Sequence, residues 1–201
     1  MKLREQKRLR CEQEIFAAAM ELFRMKGFSQ TTMQDIADKA EVAVGTLYNY
    51  FDSKGDLLIS YLSASSGSIM EKAQVAIEKE HPDPEKAVLE LFGIFSELFT
   101  SHEKSLWREY LSAAYNDSNK LSGRIWGTQQ GFQELLVKLI VDFQKEKIIN
   151  PNLNPAVAAS VLYSSFFLQF LRYINTDLSL SQLLQDLNAQ IYVTFQGLNN
   201  H

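Results

Sequence analysis

Apolar residues recur at spacings of three and four along almost the whole chain, and no segment alternates as a strand would. This pattern predicts an all-α fold. The first helix covers about residues 7–26, with Ile15, Ala18, Ala19, Leu22 and Phe23 on one face and Gly27 as its stop. Thr32 followed by Asp35 has the form of a capping box, in which hydroxyl and carboxylate each accept an amide proton at a helix start, and it predicts a short second helix to about Ala40. Ser53 with Asp56 repeats the signal and opens a longer helix, stopped by His81-Pro82. Asp83-Pro84 and Asn154-Pro155 each place a cap before a proline at the first helical position, and Ser179 with Gln182 opens the last helix. A long helix over about residues 121–146 lies between them.

The residues Val42-Ala43-Val44-Gly45-Thr46-Leu47-Tyr48-Asn49-Tyr50-Phe51 carry three aromatics and no charge. Only eleven residues, 41–51, separate the second helix from the one that Ser53 opens, so a helix here must follow a tight turn, which makes a helix-turn-helix. Leu47 and Phe51, four apart, face the core and leave Thr46, Tyr48, Asn49 and Tyr50 around the outside. Hydroxyls there can donate to phosphate oxygens, and the Asn49 amide can offer a base edge a donor and an acceptor. Gly45 adds no bulk where backbone approaches a duplex. The competing expectation is that the aromatics are core.

Residues 28–58 resemble the helix-turn-helix of the tetracycline-repressor (TetR) family. The matching positions are Thr32, Ile36-Ala37, Ala40, Val42, Gly45, Leu47-Tyr48, Tyr50-Phe51, Lys54 and Leu57. The resemblance implies a DNA-binding domain at 1–54, made of three helices with a basic arm, and a ligand-binding and dimerisation domain at 55–201, about nine helices in all; the arm is expected to track the DNA backbone or adjacent minor groove, with a disordered solubilising tail as the alternative. It implies that Thr32, at the head of the second helix, contacts DNA, that Gln34, Val44, Gly45, Thr46 and Asn49 lie nearest the bases, and that Tyr48, Tyr50 and Lys54 hold phosphates. Two positions depart from the pattern. Glu41 stands where the family often has a turn glycine, and Ala43 where a hydroxyl often caps the third helix.

Composition adds limits. The 201 residues are 46% hydrophobic, enough for a sizeable core, and carry a formal charge of −4. That value hides an asymmetry: Lys2, Arg4, Lys7, Arg8 and Arg10 against Glu5 leave the first ten residues at +4. The one cysteine, Cys11, excludes an internal disulfide, and a structural zinc is not expected. The basic N-terminus has no apolar run of a secretory kind, and the most apolar stretch, 156–171, is 16 residues long, short for a membrane span. A cytoplasmic protein is the expectation, with no membrane partner.

In the larger half, the helix after Pro155 is apolar nearly all round, and the last helix has a stripe of Leu180, Leu183, Leu184, Leu187, Ile191, Phe195 and Leu198. These fit a symmetric four-helix homodimer interface through Val161, Leu168, Leu184, Leu187, Ile191 and Phe195, with a monomer core as the alternative. Gly123, Gly127 and Gly131 recur at every fourth position, for close packing or for a ligand. Trp107, Tyr110, Trp126, Gln130, Phe166 and Phe170 could line the pocket. No nucleophile and base, metal-ligand spacing or phosphate loop is present, so no catalytic residue, metal or cofactor is expected. The expected function is a ligand-responsive dimeric transcriptional regulator, a repressor that binds a palindromic operator in double-stranded DNA and is released by a small, largely apolar effector. An all-α small-molecule-binding protein or enzyme with no DNA role is one alternative. A DNA-binding adaptor with a protein partner is the other.

Overall fold

Local capping chemistry starts the helices where the sequence predicts. The Thr32 hydroxyl accepts the Asp35 amide at 3.1 Å, and the Asp35 carboxylate accepts the Thr32 amide at 2.7 Å. The same reciprocity joins Ser179 and Gln182 at 2.9 and 3.2 Å. Asp83 and Asn154 cap helices with proline in the first turn. Ser53 accepts the Asp56 amide, but the Asp56 carboxylate takes the amide of Asp52, one residue before the expected partner.

The computed structural model describes residues 3–116 and 121–198; the side chains of 115, 116, 121–128 and 198 lie outside the description. The order is α1 (Leu3–Lys26), α2 (Met33–Lys39), α3 (Val44–Tyr48), α4 (Lys54–Ile77), α5 (Pro84–Thr100), α6 (Lys104–Asn116), α7 (Leu121–Lys145), α8 (Pro155–Asn175) and α9 (Leu180–Leu198). Among the described residues there is no strand. α1 begins at Leu3, so the basic segment expected to be an arm is helical. Its Leu, Arg, Gln and Lys residues lose little rotamer freedom in a helix, and Glu5 lies in the first turn, where the helix dipole favours an acid.

The chain divides into two units. The first comprises Met1–Leu62 and Glu109–Ser122, a different partition from the expected break after residue 54. α4 and α6 each contribute to both units, so continuous helix stands where a linker would. In the first unit Ile15, Ala19, Ile36, Ala37, Leu47, Leu57 and Leu58 are completely buried. Phe16 meets both Phe51 and Tyr61 at ring distances of 5.4 Å. A Cβ on Gly55 would lie 3.0 Å from that of Ala113, so glycine allows α6 to approach the start of α4.

The second unit comprises Ser63–Arg108 and Gly123–His201. Here α9 packs on α5 and α8. The interior is aromatic: Phe95 stacks on Phe132 at 3.7 Å, Phe99 on Phe170 at 4.3 Å, and Phe166 meets Phe92 at 4.8 Å. Lys104 closes the end of α8 by donating to the carbonyls of Thr176 and Leu178 at 2.9 and 2.8 Å, and Arg108 donates to that of Ile174. α8 runs for 21 residues and is long and apolar enough to cross a membrane, so the argument from a 16-residue stretch does not hold. Ala158, Ala159, Leu162, Phe166 and Phe170 on this helix are buried within the unit.

Candidate nucleic-acid interface

The turn between α2 and α3 is built from main-chain bonds. The Val42 amide reaches the Ala37 carbonyl at 3.0 Å and the Glu41 amide that of Asp38 at 3.2 Å, the paired bonds of a Schellman motif. That motif requires a left-handed residue, and Glu41 supplies it with φ at 55°. A side chain in this conformation costs on the order of 1–2 kcal/mol that glycine would not. Ala43 then occupies the α3 cap position with no side-chain bond, so neither departure in the sequence is compensated locally.

α3 hangs from Leu47, fully buried, and Phe51 follows it into the core. Anchored there, the helix turns Gly45, Tyr48 and Asn49 to solvent and leaves Val44, Thr46 and Tyr50 half-buried. Open space surrounds the position a Gly45 Cβ would take. The exposed surface is therefore uncharged, with a hydroxyl, a phenol and an amide available. Gln34 on α2 is also exposed, its amide donating to Asp38 at 2.7 Å.

Three expected contacts are engaged internally. The Thr32 hydroxyl belongs to the α2 cap. The Tyr50 phenol lies beside the Cys11 thiol; partial desolvation, then Cys11, push its pKa up. Lys54 departs most from expectation. Its ammonium donates to the carbonyls of Phe28 and, at 2.7 Å, Thr31, and lies 4.4 Å from the Phe28 ring centre. Partial burial pushes its pKa down. Lys54 thus pins the start of α4 to the α1–α2 loop, where the phosphate role would need its donors directed outwards.

Residues 15–61 match the family model described as bacterial regulatory proteins, tetR family. The Bacillus subtilis fatty acid metabolism regulator protein is 34% identical over 93 residues, 46% of this chain and 48% of that protein. The transcriptional repressor KstR of Mycobacterium tuberculosis is 48% identical over 48 residues, 24% of this chain and 22% of its own. Over residues 15–61 the chain is similar to the TetR family. It spans about half the length, or less, of these curated relatives. Two solved structures share the fold over nearly the whole chain. Thermus thermophilus FadR with lauroyl-CoA has a TM-score of 0.72 at 23% identity, covering 94% of this chain and 96% of that one. Bacillus subtilis FadR with stearoyl-CoA has 0.69 at 20%, covering 93% and 99%.

Among the described residues, the expected ligand residues are mostly packed or apart from one another. Trp107, Phe166 and Phe170 are each at most 5% exposed. Trp107 and Phe170 meet edge to face at 5.6 Å, and the indole N–H donates to the Phe99 carbonyl at 3.2 Å. Gln130 is exposed and donates to Glu134 at 3.0 Å. Tyr110 falls in the first unit, where burial pushes its phenol up to about 12. The side chain of Trp126 lies outside the described residues, as do the surroundings of Gly123 and Gly127. Gly131 is packed against Met70, whose methyl would be 2.8 Å from an added Cβ.

The stripe expected at a dimer interface also separates into two parts. Leu187, Ile191 and Phe195 are fully buried within the monomer, and Leu184 is half-buried, so these belong to the core that α9 forms with α5 and α8. Val161 and Leu168 are about half exposed, at 48% and 52%. Val157 shares their face of α8; Tyr192 and Val193, exposed on α9, are absent from the sequence expectation. The apolar positions 157, 161 and 168, spaced by four and seven, were a usable signal. It competed with a second apolar face on the same helix. Among the described residues, no group of histidine, cysteine and carboxylate side chains could hold a metal ion.

Proposed function

We propose that the chain is a cytoplasmic, homodimeric, non-enzymatic transcriptional repressor that reads a palindromic operator through α3 and releases it on binding a long-chain acyl thioester. The observation that carries the DNA half is the charge-free surface of solvent-facing Gly45, Tyr48 and Asn49, with half-buried Thr46, on a short helix anchored by Leu47. A two-fold dimer presents two such helices to successive major-groove faces, and an amide at Asn49 suits bidentate contact with a base. Gln34 flanks it from α2. The effector class is supported by the name of the Bacillus subtilis relative and by the acyl-CoA molecules bound in two structures of this fold. The apolar face of Val157, Val161, Leu168 and Val193 supports dimerisation through α8 and α9.

Selection of bound fragments from random duplex DNA tests the proposal, with lauroyl- or stearoyl-CoA added to the eluted complex. The expected result is enrichment of a two-fold symmetric sequence that the thioester releases. An Asn49→Ala chain should lose preference at one position of each half-site. No enrichment overturns sequence reading; enrichment with no release overturns the effector class.

A further inference from the structure

One side chain closes the helix-turn-helix on itself. Lys54 stands at the first position of α4, and its ammonium donates to the Thr31 carbonyl at 2.7 Å, to that of Phe28, and more weakly to that of Ser29 at 3.4 Å. Thr31 immediately precedes Thr32, the cap of α2. The segment from Thr31 to Lys54 holds α2, the turn and α3, and the Lys54 side chain ties its two ends together. An ammonium has three donors, and three carbonyls take them, so none is left over for a phosphate.

The remaining joints of this closed segment are stiff. Main-chain bonds of the turn couple α2 to α3, and α3 runs into Phe51, which is 3% exposed and meets the Phe16 ring at 5.4 Å. The loop that receives the ammonium is equally fixed. Thr31 is 1% exposed, its hydroxyl donates to the Gly27 carbonyl at 2.8 Å and its amide to that of Phe28 at 3.2 Å, and the Phe28 ring meets Phe23 at 4.9 Å. Partial burial disfavours the charge on Lys54, and Glu109 on α6, in the same unit, favours it. A partly desolvated ammonium makes charge-assisted bonds, which are stronger than neutral ones.

We infer that Lys54 is a positioning residue for base reading: it clasps the start of α2 to the start of α4, and so sets the orientation of α3 on the duplex without touching DNA itself. The inference rests on the DNA-reading role of α3 proposed above. A reading helix held in one orientation before contact does not have to be ordered on binding. Base-edge contacts such as that of Asn49 demand a fixed geometry, whereas phosphate contacts carry no sequence information. Opening the clasp therefore costs affinity mainly at the operator, and losing a phosphate contact would cost it at every sequence alike.

The test compares the wild-type chain with Lys54→Met, which keeps an apolar stem and a good helix former but has no donor. Each is titrated over a range of salt with an operator selected by the wild-type chain and with a random duplex of equal length. The expected result is a ratio of operator to random affinity lower by about tenfold, comparable to a mismatched base pair, with the slope of log affinity against log salt kept on both duplexes. Lys54→Arg keeps the charge, but its planar fork does not fit carbonyls that converge on a point charge, so the ratio falls there too. A slope lower by about one on both duplexes, with the ratio kept, is the signature of a phosphate contact and overturns the clasp. An equal loss of affinity on both duplexes at unchanged slope marks fewer folded molecules, and overturns it as well. Should the variants lose their helicity, the wild-type chain carrying isotope-labelled lysine decides by magnetic resonance. The Lys54 ammonium signal is expected at one position in the free and the operator-bound protein, and a shift on binding overturns the clasp. A wild-type chain that prefers no sequence overturns the DNA reading, and the clasp falls with it; preference kept in both variants overturns the clasp alone.

Discussion

Asp35 joins the start of α2 to the end of α1. Its carboxylate is held far below the usual range, first by the Lys26 ammonium and then by the Thr32 hydroxyl and amide. A folded-state pKa below the unfolded one means that the unfolded chain takes up a proton first as pH falls. The stabilisation is therefore complete above the ordinary aspartate range and is lost on going below about pH 4. Acid unfolding followed by circular dichroism should begin in that window, and Asp35→Asn should lower stability at neutral pH while flattening the acid dependence. An equally steep acid dependence in the variant would remove Asp35 from the account. Thr32 and Asp35 were legible in the sequence because their bonds span three residues. Lys54 was not, because its carbonyl partners lie 23 and 26 residues away in a loop whose path no local pattern states.

The opposite faces of α8 and α9 give different expectations for the same kind of substitution. Val161 and Leu168 are about half exposed, so aspartate there meets water in a monomer and costs folding little, but it would bury a charge in a dimer. Val161→Asp/Leu168→Asp should sediment as a monomer with its helicity and unfolding midpoint nearly kept. Ile191, fully buried, should behave otherwise: Ile191→Asp places an unpaired charge in the core, costs several kcal/mol and unfolds the second unit. A double α8 variant that stays dimeric would move the interface elsewhere. The apolar stripe on α9 was plain in the sequence, and three members expected at a partner, Leu187, Ile191 and Phe195, are buried within the chain. A stripe states that it needs cover, and α5 and α8 of the same chain provide it.

For the whole molecule, effector and operator must be linked reciprocally if the proposed release is real. A thioester that weakens operator affinity 5–150-fold, a coupling of about 1–3 kcal/mol, must itself bind the operator complex more weakly by the same factor. Calorimetry at one salt concentration should give that ratio for lauroyl-CoA on free and DNA-bound protein; equal constants would exclude release by this compound. The sequence alone determined the helical class, most helix starts and the helix-turn-helix, because caps and periodicity are interactions among residues a few positions apart. The strain at Glu41 was visible through the family resemblance, which often has a turn glycine there, and its φ of 55° is the left-handed conformation that glycine adopts freely. Tertiary structure decided which cations remain available, which aromatic rings are core and which face of α8 is uncovered. Each depends on groups brought together from distant parts of the chain, as when Phe95 on α5, Phe132 on α7 and Phe166 on α8 meet in the interior of the second unit.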